Sequence, residues 1–157
     1  MQPTGYFRFD IDSIADALEI SVEDTRLYFT DGRRVSFLIE RRVVEAMPGS
    51  KLASSEGAGY DLIDAHGGHW EVRSLTKGGI YFCPSYMVGS GRKFNEQGFL
   101  EKLTDIEGYV VTEVQRFPVM PYWVIPYRVV ERWWDEGDLG KSSKISPAKF
   151  LQLIAEE

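Results

Sequence analysis

The stretch that decides the fold is residues 60–75, with the sequence YDLIDAHGGHWEVRSL. Two short runs that favour β-structure flank the segment His-Gly-Gly at residues 66–68, and this pattern is typical of a β-hairpin. Because successive side chains of a strand point to opposite faces, Glu71 and Arg73 share one face of the second strand. The turn also brings Asp61 beside Glu71. The stretch therefore predicts a hairpin that carries two neighbouring carboxylates and a cation.

Two carboxylates with adjoining backbone carbonyls suit a hard divalent cation, above all Mg²⁺. A metal held by Asp61 and Glu71 would polarise a phosphoryl oxygen, activate a water molecule and neutralise charge on the leaving oxygen. Arg73 lies two residues after Glu71, where it can meet a scissile phosphate. The residues thus predict phosphodiester hydrolysis. The alternative is that Glu71 and Arg73 form an exposed ion pair that contributes less than about 1 kcal/mol to stability.

The rest of the chain reads as a single domain over residues 1–157. Helices are predicted at 7–20, 34–47, 96–107, 129–136 and from Pro147 to about 155. Further strands are predicted at 27–29, 80–83, 109–114 and 122–126, and loops at 49–59 and 84–95. The strand at 27–29 is expected to end in a tight turn at Asp31-Gly32. This order predicts an α/β fold with a mixed central β-sheet flanked by helices.

The charge of the chain is unevenly distributed. The sequence contains 24 acidic and 18 basic residues, so its net charge of −6 excludes a generally cationic nucleic-acid coat protein. Residues 72–95, however, contain four basic residues and no acidic one, which suggests a face that meets an anion. The alternative is a solvated loop.

The compartment follows from what the sequence lacks. The only cysteine is Cys83, so an intrachain disulfide is excluded and a reducing compartment is expected. The first residues lack the layout of a signal peptide. No apolar run approaches the roughly 20 residues of a membrane helix. We therefore expect a cytoplasmic protein without a membrane partner.

Residues 60–64 (YDLID) and 70–74 (WEVRS) resemble the motif of the PD-(D/E)xK nuclease superfamily, as found in type II restriction endonucleases. The likeness extends more loosely over residues 34–155. It implies a restriction-endonuclease-like α/β/α sandwich and a site-specific endonuclease that cleaves double-stranded DNA with Mg²⁺, for which Mn²⁺ can substitute. It also implies a homodimer and a cognate DNA methyltransferase in the host.

The resemblance assigns roles to individual residues. Asp61 and Glu71 would be catalytic metal ligands, and Glu45 would be a further metal ligand on the preceding helix. Arg73 stands where the motif has a lysine, and arginine stays protonated, so Lys77 is predicted to help as a second catalytic cation. The motif's proline is replaced by Tyr60.

Contacts to nucleic acid are predicted for His69 on the hairpin and for Ser90, Arg92 and Lys93 in the segment GSGRK at residues 89–93. Glycines there let backbone amides and two cations approach phosphates. The alternative for this segment is a flexible, soluble loop.

Two other functions stay open. The arginine at the lysine position motivates a nuclease fold that binds nucleic acid, or serves in assembly, without cleavage. The third possibility is a small α/β interaction domain. Only the third predicts that the protein has no salt-dependent affinity for DNA.

Overall fold

A computed structural model describes residues 1–55 and 58–157, and within these ranges the chain forms six α-helices and eight β-strands. The helices are α1 (Ile11–Leu18), α2 (Val22–Phe29), α3 (Gly32–Ala46), α4 (Glu96–Thr104), α5 (Tyr127–Asp135) and α6 (Pro147–Glu156). The strands are β1 (Gly5–Arg8), β2 (Lys51–Leu52), β3 (Leu62–Ile63), β4 (His69–Leu75), β5 (Ile80–Tyr81), β6 (Gly108–Glu113), β7 (Val119–Pro126) and β8 (Lys144–Ile145).

In the described part of the chain, six strands form one mixed sheet in the order β1-β7-β6-β4-β3-β2. Strands β4 and β6 are parallel, and the other neighbours are antiparallel. The parallel pair requires a crossover, which runs through α4. Strands β5 and β8 form a separate two-stranded sheet.

Two apolar clusters pack against the main sheet. Alternate residues of β6 enter different clusters: Tyr109 and Val111 belong to the first, and Val110 belongs to the second. The first cluster also contains apolar residues of α4, α5 and α6. The second contains apolar residues of α1, α2 and α3. The prediction of a mixed sheet flanked by helices is therefore confirmed at the level of a mixed α/β architecture, and this arrangement is compatible with an α/β sandwich.

The predicted strand at residues 27–29 is wrong, because these residues end helix α2. The Ser21 hydroxyl accepts a hydrogen bond from the backbone N–H of Asp24 and so begins the helix six residues before the predicted strand. Asp31 belongs to no hairpin turn. It is the N-cap of α3 and accepts hydrogen bonds from the backbone N–H groups of Arg33 and Arg34.

Two further boundaries differ from the prediction. The predicted helix at 7–20 begins only at Ile11, after the N-cap Asp10, because Gly5–Arg8 pair with β7 as strand β1. The predicted loop at 49–59 contains the short strand β2, which pairs with β3. Residues 56 and 57 of that loop lie outside the described ranges.

The elements around the predicted site agree with the sequence. The hairpin forms between β3 and β4, with Leu62 opposite Trp70. Helix α4, strands β6 and β7, helix α5 and the Ser146-capped α6 also lie where they were predicted. Within the described ranges, we find no helix with the length and apolar character needed to span a membrane.

Candidate functional site

A cleft of about 850 Å³ lies beside the edge of β4, between α3 and α4. Strand β3 pairs with β4 only near the turn, so the middle of β4 has no strand on this side. The cleft is lined by Ser36, Glu40, Ala58, Gly59, Tyr60, Asp61, His69, Glu71, Val72, Arg73, Pro84, Ser85, Tyr86, Gly98, Glu101, Lys102, Thr104 and Asp105. It therefore collects acidic, basic and aromatic side chains from several elements.

Strand β4 places the predicted motif as its alternation requires. His69, Glu71 and Arg73 line the cleft. Trp70 and Val72 pack against the second apolar cluster on the opposite face. The sequence prediction that the hairpin brings Asp61, Glu71 and Arg73 together is confirmed by these positions.

Asp61 ends the pairing between the two strands of the hairpin. Its backbone N–H donates to the Trp70 carbonyl at 2.9 Å. Its carboxylate Oδ2 accepts from the backbone N–H of Val72 at 2.7 Å. A side chain thus satisfies an edge N–H that a continuing strand would have paired. Burial, followed by repulsion from Glu71, raises the pKa of Asp61, although Arg73 and the Val72 N–H oppose the shift.

Glu71 is the centre of the charged cluster. Only 6% of its surface is exposed, so its charge needs partners. Arg73 Nη2 lies 2.6 Å from Oε2, and Lys102 Nζ lies 2.5 Å from Oε1. Each carboxylate oxygen of Glu71 therefore has its own cation.

The Arg73 guanidinium lies among three oxygens. Besides its pair with Glu71, Nη1 lies 3.8 Å from Asp61 Oδ2 and donates to the Val72 carbonyl at 3.3 Å. Burial disfavours the charged guanidinium, but the carboxylates of Glu71 and Asp61 outweigh it and raise the pKa of Arg73. Arg73 is therefore a permanent cation in the site and cannot serve as a base.

Lys102 on α4 is the site residue that sequence reasoning missed. Its Nζ contacts Glu71 and also donates to the Gly59 carbonyl. The available signal was its helix position, between the buried Phe99 and Leu103, where a lysine stem lies at the edge of the apolar stripe. That position suggests a partly buried ammonium but does not name its partner.

Other predicted residues lie outside the cleft. Lys77 is exposed in the turn after β4, where Thr76 and Gly79 form a bridge. Glu45 is exposed on α3, whereas Glu40 of the same helix lines the cleft. The structure therefore does not bring Lys77 or Glu45 to the acidic pair.

The loop after β5 contributes differently from the prediction. Ser90, Arg92 and Lys93 are exposed and do not line the cleft. Arg92 instead donates to the carbonyls of Ser85 and Val88, at 2.8 and 3.1 Å. The arginine therefore braces the short 3-10 helix at Ser85–Met87, which places an aromatic side chain at the cleft.

Aromatic rings lie at the cleft wall. Tyr60 and His69 stack with ring centroids 3.8 Å apart and planes 10° apart. Tyr86 is 65% exposed. Exposed or partly exposed rings of this kind offer surfaces on which a nucleobase can stack.

The donor set fits a hard divalent cation in chemistry, although not as a preformed cage. Among residues 1–55 and 58–157, no group of three or more His, Cys, Asp or Glu side chains is arranged to hold a metal. However, Asp61, Glu71 and the Val72 carbonyl all place oxygen atoms around the Arg73 guanidinium. Carboxylate and carbonyl oxygens are the ligands that Mg²⁺ prefers. A metal could use them once the guanidinium moved.

Comparison of the chain with protein-family models, with curated proteins and with solved structures finds no match. The resemblance to PD-(D/E)xK nucleases therefore stays a prediction from the residues.

Proposed function

We propose that the protein is a Mg²⁺-dependent endonuclease that hydrolyses phosphodiester bonds of double-stranded DNA at specific sites. The observation that carries the proposal is the cluster in one cleft of two carboxylates, Asp61 and Glu71, with two cations, Arg73 and Lys102. Carboxylates can hold a metal, and cations can hold the phosphate on which the metal acts.

Asp61, Glu71 and the Val72 carbonyl would hold the metal. Bound there, Mg²⁺ or Mn²⁺ would supply charge stabilisation at the phosphoryl oxygen and an activated water molecule. The raised pKa of Asp61 means that this carboxylate is ionised less readily than an ordinary aspartate, so metal binding must compete with its proton.

The two cations have different chemistry. Arg73 presents a planar set of donors that matches two phosphate oxygens. Lys102 presents a single ammonium, 12% exposed, which pairs with Glu71. We assign Arg73 to hold the phosphate and Lys102 Nζ to orient the attacking water, the place that the motif's lysine leaves open in this chain.

The nucleic acid would be contacted on both sides of this cluster. Tyr60, stacked on His69, and the exposed Tyr86 can contact bases or sugars. Ser90, Arg92 and Lys93 can contact phosphates only beyond the cleft, since they do not line it. These phosphate contacts would position the DNA without reading its sequence.

The finer predictions form part of the same proposal: a restriction-endonuclease-like α/β/α sandwich, a homodimer in the cytoplasm, and a cognate methyltransferase that protects host DNA. They rest on the resemblance of residues 60–64 and 70–74 to the nuclease motif.

One observation favours the second candidate, a nuclease fold that binds nucleic acid without cleaving it. Both carboxylate oxygens of Glu71 already have cation partners. If Arg73 and Lys102 hold Glu71 this firmly, a metal does not displace them. The cleft then binds phosphate through its cations alone.

Cleavage of phage-genome DNA distinguishes the candidates. The protein would be incubated with Mg²⁺, with Mn²⁺ or with a chelator, beside the variant Glu71→Gln. The exposed Glu136, at the end of α5, provides the matched control Glu136→Gln. Discrete metal-dependent fragments that only Glu71→Gln abolishes would support the endonuclease.

The other outcomes are equally clear. A smear would keep the hydrolytic chemistry and contradict site specificity. Intact DNA with salt-sensitive binding would favour the non-cleaving protein. Intact DNA without binding would contradict both candidates and leave the interaction domain.

A further inference from the structure

Helices α1, α2 and α3 carry an exposed apolar surface, here called the α1–α3 face. Leu18, Leu27 and Phe37 are 53%, 63% and 64% exposed. A groove of about 530 Å³ on this face is lined by Leu18, Phe37 and their neighbours Ile20 and Tyr28. Contiguous exposed apolar surface of this kind marks an interaction site rather than an ordinary solvated face.

Opposite charges lie on the two sides of the groove. Residues 10–24, which form α1 and the start of α2, contain six acidic residues and no basic one. Residues 33–42, on α3, contain four arginines and one glutamate. The α1–α3 face therefore has an acidic half and a basic half with apolar side chains between them.

The arginines are held at the groove by aromatic rings. The Arg41 guanidinium lies 3.2 Å from the Phe37 ring centroid, and that of Arg34 lies 5.7 Å from the Tyr28 centroid. Cation–π contacts of this kind keep the positive charge beside the apolar surface. The charge is thus positioned at the rim, where a partner would meet it.

We propose that the α1–α3 face binds a second copy of this chain in a two-fold symmetric homodimer. In an isologous interface the same patch occurs on both copies, and a two-fold axis through the groove places the acidic half of one copy on the basic half of the other. A partner of a single charge sign would match only half of this face. A second copy matches both halves.

The dimer would place its two clefts beside the shared interface. Helix α3 contributes Phe37 to the groove, and it contributes Ser36 and Glu40 to the wall of the catalytic cleft. The interface is carried by the apolar and charged pattern of the α1–α3 face, so it does not depend on whether the cleft cleaves DNA.

Two charge-reversal variants test the proposal. Asp16→Lys with Glu19→Lys makes the acidic half basic, and Arg33→Glu with Arg34→Glu makes the basic half acidic. All four side chains are exposed. The lysines would lie at the C-terminal end of α1 and the glutamates in the first turn of α3, where the helix dipole favours these signs. We therefore expect both variants to fold, and circular dichroism would check this.

Sedimentation velocity would be measured for the wild type, each variant and an equimolar mixture. We expect the wild type to form dimers, each variant alone to be monomeric, and the mixture to form heterodimers. The matched control Asp135→Lys with Glu136→Lys, two exposed acids at the end of α5, should dimerise like the wild type.

Three outcomes would overturn the proposal. One is a wild type that stays monomeric into the millimolar range. Another is a dimer that persists in both variants. The last is a mixture of the variants that remains monomeric, which would show that the two charged halves do not face each other.

Discussion

The carboxylate of Asp61 accepts a 2.7 Å hydrogen bond from the backbone N–H of Val72, the residue after Glu71 in strand β4. The same contact ends the hairpin pairing and fixes the first carboxylate beside the second. Structure and proposed chemistry therefore depend on one side chain, and substitutions at Asp61 can separate the two.

Asp61→Asn keeps an oxygen that can accept from Val72 but removes the charge. Asp61→Ala leaves the Val72 N–H without this partner, which typically costs about 1–3 kcal/mol. We expect urea denaturation to show a clear loss of unfolding free energy for Asp61→Ala and a smaller loss for Asp61→Asn. Both variants should lose metal-dependent cleavage. Equal stability of the two variants would contradict the structural role of the hydrogen bond.

The raised pKa of Asp61 gives a signed pH dependence. The folded state favours the protonated carboxyl, so stability is greatest below the unfolded pKa of about 4 and decreases as pH rises through the folded pKa. The unfolding free energy of Asp61→Asn, relative to that of the wild type, should therefore increase over this window. Denaturant titrations from pH 4 to neutrality measure it, and a relative stability that falls as pH rises would be incompatible with a raised pKa.

Lys102→Met removes one of the two cations that neutralise the buried Glu71. We expect a stability loss of about 1–3 kcal/mol, because Arg73 still pairs with the other oxygen. Lys102→Arg should retain more stability but reduce cleavage, since a guanidinium cannot replace an ammonium that orients water. The matched control is Lys149→Met, whose pair with Asp138 is about one-third exposed and should contribute less than about 1 kcal/mol.

Arg73 lies where the oxygens of Asp61, Glu71 and Val72 would bind a metal. Arg73→Ala should therefore bind Mn²⁺ more tightly than the wild type, by about tenfold or ~1.4 kcal/mol, while its affinity for DNA decreases. Electron paramagnetic resonance of Mn²⁺ measures the first effect without relying on activity. Weaker Mn²⁺ binding by Arg73→Ala would show that the guanidinium and the metal do not compete.

The sequence predicted the hairpin and its shared face because both follow from local rules. Alternation along β4 places Glu71 and Arg73 together, and the glycines at 67 and 68 permit the turn. Helix α2 was not predicted, because Leu27, Tyr28 and Phe29 have the composition of a strand. The deciding signal was the Ser21 cap, three residues before Asp24.

The cations and acids from other elements could not be assigned in the same way. Helix α3 was predicted, but which acid faces the cleft depends on how the helix is rotated against the sheet. Glu40 and Glu45 lie about 140° apart around the helix axis, so only one of them can face the cleft. The pair between Lys102 and Glu71 joins two elements that are 31 residues apart in sequence, and only tertiary packing reveals it.

The most direct test of the central claim is the rate at which supercoiled plasmid is lost as Mg²⁺ concentration rises, with wild type and Glu71→Gln compared side by side. The account predicts a rate for the wild type that increases with Mg²⁺ and saturates, and no cleavage by Glu71→Gln at any concentration. A plasmid that stays intact with wild type, or equal cleavage by Glu71→Gln, would contradict a metal-dependent nuclease at Asp61 and Glu71.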